Sequence, residues 1–263
     1  MGISPKTAYV LMRTKQATGM KGSILVLGEQ RIRATYSDIE RISLNIGLPL
    51  RALPEIPSPS DRFLTADEFF MLIGFEAHTA LDNSGYEGAK LIHDLNDPNP
   101  PEEFREKFDV IYDGGTFEHL FNVPIAFSNL YHFLNKDGFV IHDVPVNNYV
   151  DHGFYQFSPT LFWHYYGLNG YKLHQSVLLK HTNDVLGPMI VIPHYTPETN
   201  KYTRKMNDYS YALHFVAQKT SASTQRLVPE QSKYTNAWDV KPRIDFDKFM
   251  ETLQRVEAYE ITI

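Results

Sequence analysis

The 263-residue sequence predicts an α/β fold, a parallel sheet with helices on both faces. Three observations carry that expectation. Short runs that are apolar throughout, such as Ser23 to Leu27 and Phe139 to Val144, suit strands buried on both sides. Segments with apolar residues at helical spacing separate them, which is the alternation of βαβ units. Finally, three of the runs are closed by an aspartate, at Asp82, Asp94 and Asp113, where a strand gives way to a loop.

Taken in order, residues 5 to 19 carry Ala8, Leu11, Met12 and Lys15 at helical spacing and stop at Gly19, so they predict an N-terminal helix. Ser23 to Leu27 is the first strand, bounded by Gly22 and Gly28. Ser37 offers an N-cap to a helix that buries Ile39, Ile42 and Ile46. Prolines 49, 54, 57 and 59 prevent regular structure over 49–62, which reads as an insertion able to gate a site. Thr65 restarts a helix carrying Phe69, Phe70, Leu72 and Ile73 up to Gly74. Strands are expected at Ala77 to Leu81, Lys90 to His93, Phe108 to Tyr112 and Phe139 to Val144, with a helix from Val123 to Leu134.

Beyond this, Met189 to Ile192 and Tyr209 to Gln218 suggest an antiparallel hairpin at the sheet edge. An exposed loop is expected over 220–243, and a terminal helix from Phe246 to Tyr259 using Phe249, Leu253 and Val256. One domain accommodates all of it, given about 150 residues per domain as a prior.

Composition narrows the function. The formal charge is −6, which leaves no surplus to neutralise a phosphate backbone, so a nucleic-acid partner is not expected. Zero cysteines exclude a thiolate metal site, an Fe–S cluster and a Cys nucleophile. No run of 18 apolar residues and no signal-peptide pattern is present, so the expected location is the cytoplasm, away from membranes.

In an open parallel sheet, ligands bind beyond the carboxyl ends of the strands, where strand order reverses. Gly28-Glu29-Gln30, Asp82, Asp94 and Asp113 stand at four such ends. An acceptor after the second strand suits ribose hydroxyls, and one after the third suits an adenine amino group. Aspartate also follows strands as an ordinary turn residue.

Further segments sharpen this reading: Leu81-Asp82-Asn83-Ser84-Gly85-Tyr86-Glu87-Gly88-Ala89, Ile92-His93-Asp94-Leu95-Asn96, Phe108-Asp109-Val110-Ile111-Tyr112-Asp113-Gly114-Gly115-Thr116-Phe117-Glu118-His119-Leu120, and Phe154-Tyr155-Gln156-Phe157-Ser158-Pro159. In this order, over roughly residues 20 to 175, the chain resembles bacterial class I S-adenosylmethionine-dependent methyltransferases. The resemblance implies a Rossmann-like sheet, S-adenosylmethionine as cofactor, and a small-molecule acceptor methylated at oxygen or nitrogen. It places Asp82 on the ribose, Asp94 and the Leu95 backbone on the adenine, and Asp113, Gly114 and Gly115 at the methionine end, with Ser84 as a further cofactor-binding candidate. The first loop departs from the superfamily pattern, with Val26 at the usual acidic position and Gly28 as a single glycine. Glu29 and Gln30 then become the groups to hold the ammonium and carboxylate of the methionine moiety. The same departure motivates an alternative, a methyltransferase-like protein without turnover that binds a ligand or partner.

Methyl transfer from a sulfonium needs positioning, plus a base if the acceptor is a hydroxyl. His152 is the preferred base, with Glu118, His119 and Tyr155 as further catalytic candidates, each with a bland reading as a loop, cap or core residue. Asn147 and Asn148 are candidates to orient the acceptor. No metal site is expected; the weaker alternative gathers His119, His142, Asp143 and His152 around a cation. Oligomeric state is not legible.

Overall fold

The computed structural model describes residues 2–53, 62–181, 188–192, 208–231, 253 and 257–262. In chain order the elements are β1 (Gly2–Ile3), α1 (Pro5–Thr18), β2 (Ser23–Leu27), β3 (Arg31–Ile32), α2 (Tyr36–Ile46), α3 (Ala66–Leu72), β4 (Ala77–Asp82), β5 (Leu91–Ile92), β6 (Phe108–Asp113), α4 (Val123–Phe133), β7 (Leu134–Asn147), α5 (Pro159–Leu168), β8 (Lys172–His181), β9 (Met189–Ile192), β10 (Ser210–Gln218) and β11 (Tyr259–Ile261).

Helix ends follow side-chain chemistry. Ser4 caps α1, accepting from the Thr7 backbone N–H, and Gly19 ends it in the left-handed region at φ 69°. The cap of helix α2 lies two residues before the expected one. Thr35, rather than Ser37, accepts from the Asp38 N–H while Asp38 reaches back to the Thr35 N–H, a reciprocal capping box. Thr65 and Glu68 repeat the arrangement on α3.

The main sheet runs β11-β9-β8-β10-β7-β6-β2-β4-β5. Pairs β4–β5, β2–β4, β2–β6 and β6–β7 are parallel, and β7–β10, β8–β10, β8–β9 and β9–β11 are antiparallel. The parallel half is doubly wound: strand order reverses at β2, which has β4 on one side and β6 on the other. This is a Rossmann-like fold, as the sequence predicts. Alternation along β2 divides the core. Ile24 and Val26 face the layer containing Ile39, Ile42, Phe69 and Phe70, whereas Leu25 and Leu27 face Phe127, Leu130, Phe162 and Trp163.

The antiparallel region corrects the expected hairpin. Met189–Ile192 and Ser210–Gln218 do not pair with each other; each pairs with β8, which lies between them. Strand β10 is internal, with β7 on its other side. Residues 220–231 form the expected loop without regular structure, and its remainder lies outside the described residues, as does 54–61 of the proline-rich insertion. Most of the expected terminal helix also lies outside them, while Leu253, Glu257 and Ala258 are not helical and Tyr259 opens β11. Among the described residues, no helix is long and apolar enough to cross a membrane.

Candidate active site

Reversal of strand order at β2 opens a crevice beyond the ends of β2, β4 and β6. A cleft of about 310 Å³ lies there, lined by Gly28, Asp82, Asn83, His93, Asp94 and Leu95 and walled by Gly115, Thr116 and His119. The two aspartates predicted to converge on a nucleoside therefore share one cavity. Strand pairing sets their depth: the Gly28 N–H donates to Leu81 O at 2.8 Å, and the His93 N–H to Asp82 O at 3.0 Å. Asp82 Oδ1 accepts from the Asn83 N–H. Asp94 Oδ1 accepts from both the backbone and the side-chain amide of Asn96, each at 2.8 Å.

Gly28 has φ 68°, and a Cβ there would stand 3.2 Å from Thr116 Oγ1 and 3.9 Å from Asp82 Oδ2. The loop thus gives a backbone approach that a side chain would narrow. Thr116 completes the wall by donating its hydroxyl to Leu27 O at 2.8 Å.

Other predicted cofactor contacts lie elsewhere. Asp113 is fully buried, accepting from the Thr116 and Phe117 N–H groups on Oδ1 and pairing Oδ2 with His142 Nδ1 at 2.8 Å. His142 Nε2 meets the Tyr166 hydroxyl at 2.7 Å. Asp113 is thus a core brace, and of the stretch 113–115 only Gly115 lines the cleft. Gly114 is needed for space, since a Cβ would come within 2.8 Å of the Tyr112 ring. Gln30 is buried with its amide directed at Leu27 O, 3.3 Å away. Glu29 is off the cleft lining; burial raises its pKa, and its charged neighbours are His78, Asp67, Lys90 and Glu87. Ser84 is exposed and accepts from the Tyr86 N–H within its own turn.

On the far wall, the catalytic candidates gather more closely than spacing alone suggests. Glu118 Oε1 lies 3.5 Å from His152 Nε2 and 3.9 Å from His119 Nε2, with the Glu118 side chain wholly buried. Burial, reinforced by the Asp113 charge, pushes the Glu118 carboxyl up to about 8. Burial and the adjacent His152 lower the pKa of His119. The approach depends on Gly153, where a Cβ would meet Glu118 O at 2.7 Å. The Phe154 N–H donates to that same carbonyl at 2.7 Å, and the Tyr155 N–H at 3.2 Å. Tyr155 itself is not in the cluster; its hydroxyl donates to Phe121 O at 3.0 Å.

The alternative cation set is split apart. His142 belongs to the Asp113 brace, and Asp143 joins Tyr112 and His214 in a second buried network. Asn148 donates its side-chain amide to Tyr209 O and so holds the chain rather than an acceptor, while Asn147 ends β7 opposite Tyr211. Sequence reasoning missed Asn83, His93, Asn96 and Thr116 as lining residues. His93 and Asn96 flank Asp94 and Leu95 within a segment already singled out, which was the available signal.

No family model and no curated protein matches the chain. Among solved structures, the chain is similar to the YcgJ protein of Bacillus subtilis, at 12% identity over 82% of this chain and 99% of that one, TM-score 0.43. It is similar to a SAM-dependent methyltransferase of Archaeoglobus fulgidus at 10% identity, 82% and 94% coverage and TM-score 0.40. A third is the 1,6-didemethyltoxoflavin-N1-methyltransferase of Burkholderia thailandensis, at 13% identity, 82% and 78% coverage and TM-score 0.36.

Proposed function

We propose that the protein is an S-adenosylmethionine-dependent methyltransferase acting on a small-molecule acceptor at oxygen or nitrogen. One observation carries this reading: Asp82 and Asp94 line a single cleft at the strand-order reversal, and the wall of that cleft continues through His119 into the Glu118 and His152 cluster. The residues fit the cofactor. Asp82 would accept from the ribose hydroxyls, Asp94 with Leu95 would hold the adenine, and the bare backbone of Gly28 would let the ribose and the sulfur-bearing chain beyond it come close. When bound, the cofactor supplies an activated methyl group on a sulfonium. The chain's own contribution is to align the acceptor and, through Glu118, His119 and His152, to engage its reacting atom.

Titration calorimetry with S-adenosylmethionine and S-adenosylhomocysteine tests it. Binding of both is expected, weakened at least tenfold by Asp82→Ala in a variant with an unchanged circular dichroism spectrum. No heat and no thermal shift with either ligand would sink the proposal.

A second reading is favoured by one specific observation. Glu29 is off the cleft and Gln30 is spent on its own loop, so neither of the groups expected to hold the methionine moiety lines the cleft. A ligand-binding protein without turnover would show cofactor affinity but no transfer to an acceptor panel spanning phenols, catechols and amines.

A further inference from the structure

Both carboxyl oxygens of Glu118 are buried and neither has a hydrogen-bond partner among the described residues. Such a group is costly in a protein interior unless something relieves it. The groups it faces are two imidazoles. One ligand atom each from Glu118, His119 and His152 falls within 4.8 Å of the others, and this is the one such set of three His or acidic residues among the described residues. For an ion bound tetrahedrally at ~2.1 Å, neighbouring ligand atoms stand roughly 3.4 Å apart. The Oε1 to Nε2 separations of 3.5 and 3.9 Å match that edge to about half an ångström.

We propose that Glu118, His119 and His152 form a binding site for a divalent transition-metal cation. Two imidazoles with one carboxylate suit Zn²⁺, Co²⁺, Fe²⁺ or Mn²⁺ better than Mg²⁺, whose preference is for oxygen. Three protein ligands leave coordination positions open, the pattern of a reactive rather than a sealed structural site. The ligands are held from behind: the Phe154 and Tyr155 N–H groups on Glu118 O tie the His152 loop to the Glu118 turn.

The proposal deepens the reading above, on which only its consequence for substrate rests. His119 lines both the cleft and the cluster, so the open positions would take an oxygen of the acceptor, polarised by the cation in place of a free imidazole base. Phe121 and Phe154, edge to face with ring centroids 6.1 Å apart and 68% and 69% exposed, each stand two residues after a proposed ligand in the chain and would offer the acceptor an apolar rim. The acceptor class is accordingly an aromatic or otherwise apolar molecule bearing a hydroxyl.

Equilibrium dialysis of untagged protein against Zn²⁺ or Co²⁺, without cofactor and read by elemental analysis, is the test. One equivalent per chain is expected, with affinity at least tenfold weaker in Glu118→Gln and in His152→Asn. His152 is 35% exposed, so its variant serves if Glu118→Gln does not fold. Retention by wild type no greater than by the variants overturns the site. Metal binding without any affinity for S-adenosylmethionine would keep the site and sink the methyltransferase reading, and the reverse result would do the opposite.

Discussion

Asp113 and His142 lie in the core with Tyr166, and their pairing explains why an aspartate at this strand end does not line the cleft. Both side chains are fully buried, and their mutual hydrogen bond, extended to Tyr166, satisfies groups that would otherwise be stranded. Removing one partner leaves the other unpaired in the interior, at a cost of about 3–5 kcal/mol. His142→Ala is therefore expected to lower the urea midpoint by that equivalent, and a midpoint within 1 kcal/mol of wild type, on the scale of an ordinary surface change, would show the brace to be dispensable. Gly153→Ala makes a different kind of error, because its Cβ meets backbone rather than a movable side chain. It should displace the His152 loop while leaving the Asp82 end of the cleft in place. The expected signature is lost transfer activity with cofactor affinity within threefold of wild type. At this scale the sequence was half legible: residue type and strand position pointed to Asp82, Asp94, Glu118, His119 and His152. Burial separated Asp113 from Asp82, and burial depends on long-range packing that neighbouring letters do not encode.

The start of helix α3 is tightly specified. Thr65 and Glu68 cap it reciprocally, and Arg62 donates to Glu68 Oε2 at 2.8 Å. The hydrogen bond from Arg62 holds the Glu68 carboxyl down to about 2. A depressed carboxyl contributes stability that is present above its unfolded pKa, about 4.3, and is lost as pH falls through its folded value. Glu68→Gln is thus expected to lower the melting temperature at pH 7, with the difference from wild type shrinking between about pH 4.3 and pH 2. A difference independent of pH would assign the effect to packing instead. Thr65→Ala removes the other half of the box and should cost about 1 kcal/mol in chemical denaturation. Helices and parallel strands were readable because period and caps are local signals. Strand β8 was not, because Lys172, His174, Gln175 and Ser176 make it look like a polar loop. Two of those are buried through distant partners: Gln175 accepts from the Thr14 hydroxyl and Ser176 from the Trp163 ring N–H. With β8 hidden, β9 and β10 looked like neighbours.

For the whole molecule, the sheet's stability should be graded from the centre outward. Strands β2, β6, β7 and β10 each have partners on both sides, while β5 is a two-residue edge strand. Hydrogen exchange is expected to protect Leu25, Ile111, Ile141 and Phe215 to the global unfolding limit and to release Ile92 earlier. Uniform exchange across the sheet would contradict this gradient. The parallel half that shapes the cleft is assembled from chain-local βαβ units, which is why its architecture could be anticipated from pattern alone. The antiparallel half rests on pairings between distant segments.

The insertion of β10 between β7 and β8 bears on how the chain is made. While the polypeptide emerges from a ribosome, β7 is complete long before residues 210–218 exist, and its outer flank must wait with exposed amides and carbonyls. A nascent chain halted near residue 200 would carry the cleft beside an open, sticky border, where another chain could dock in place of the missing strand. Early termination in this protein should therefore yield aggregates more readily than monomeric fragments.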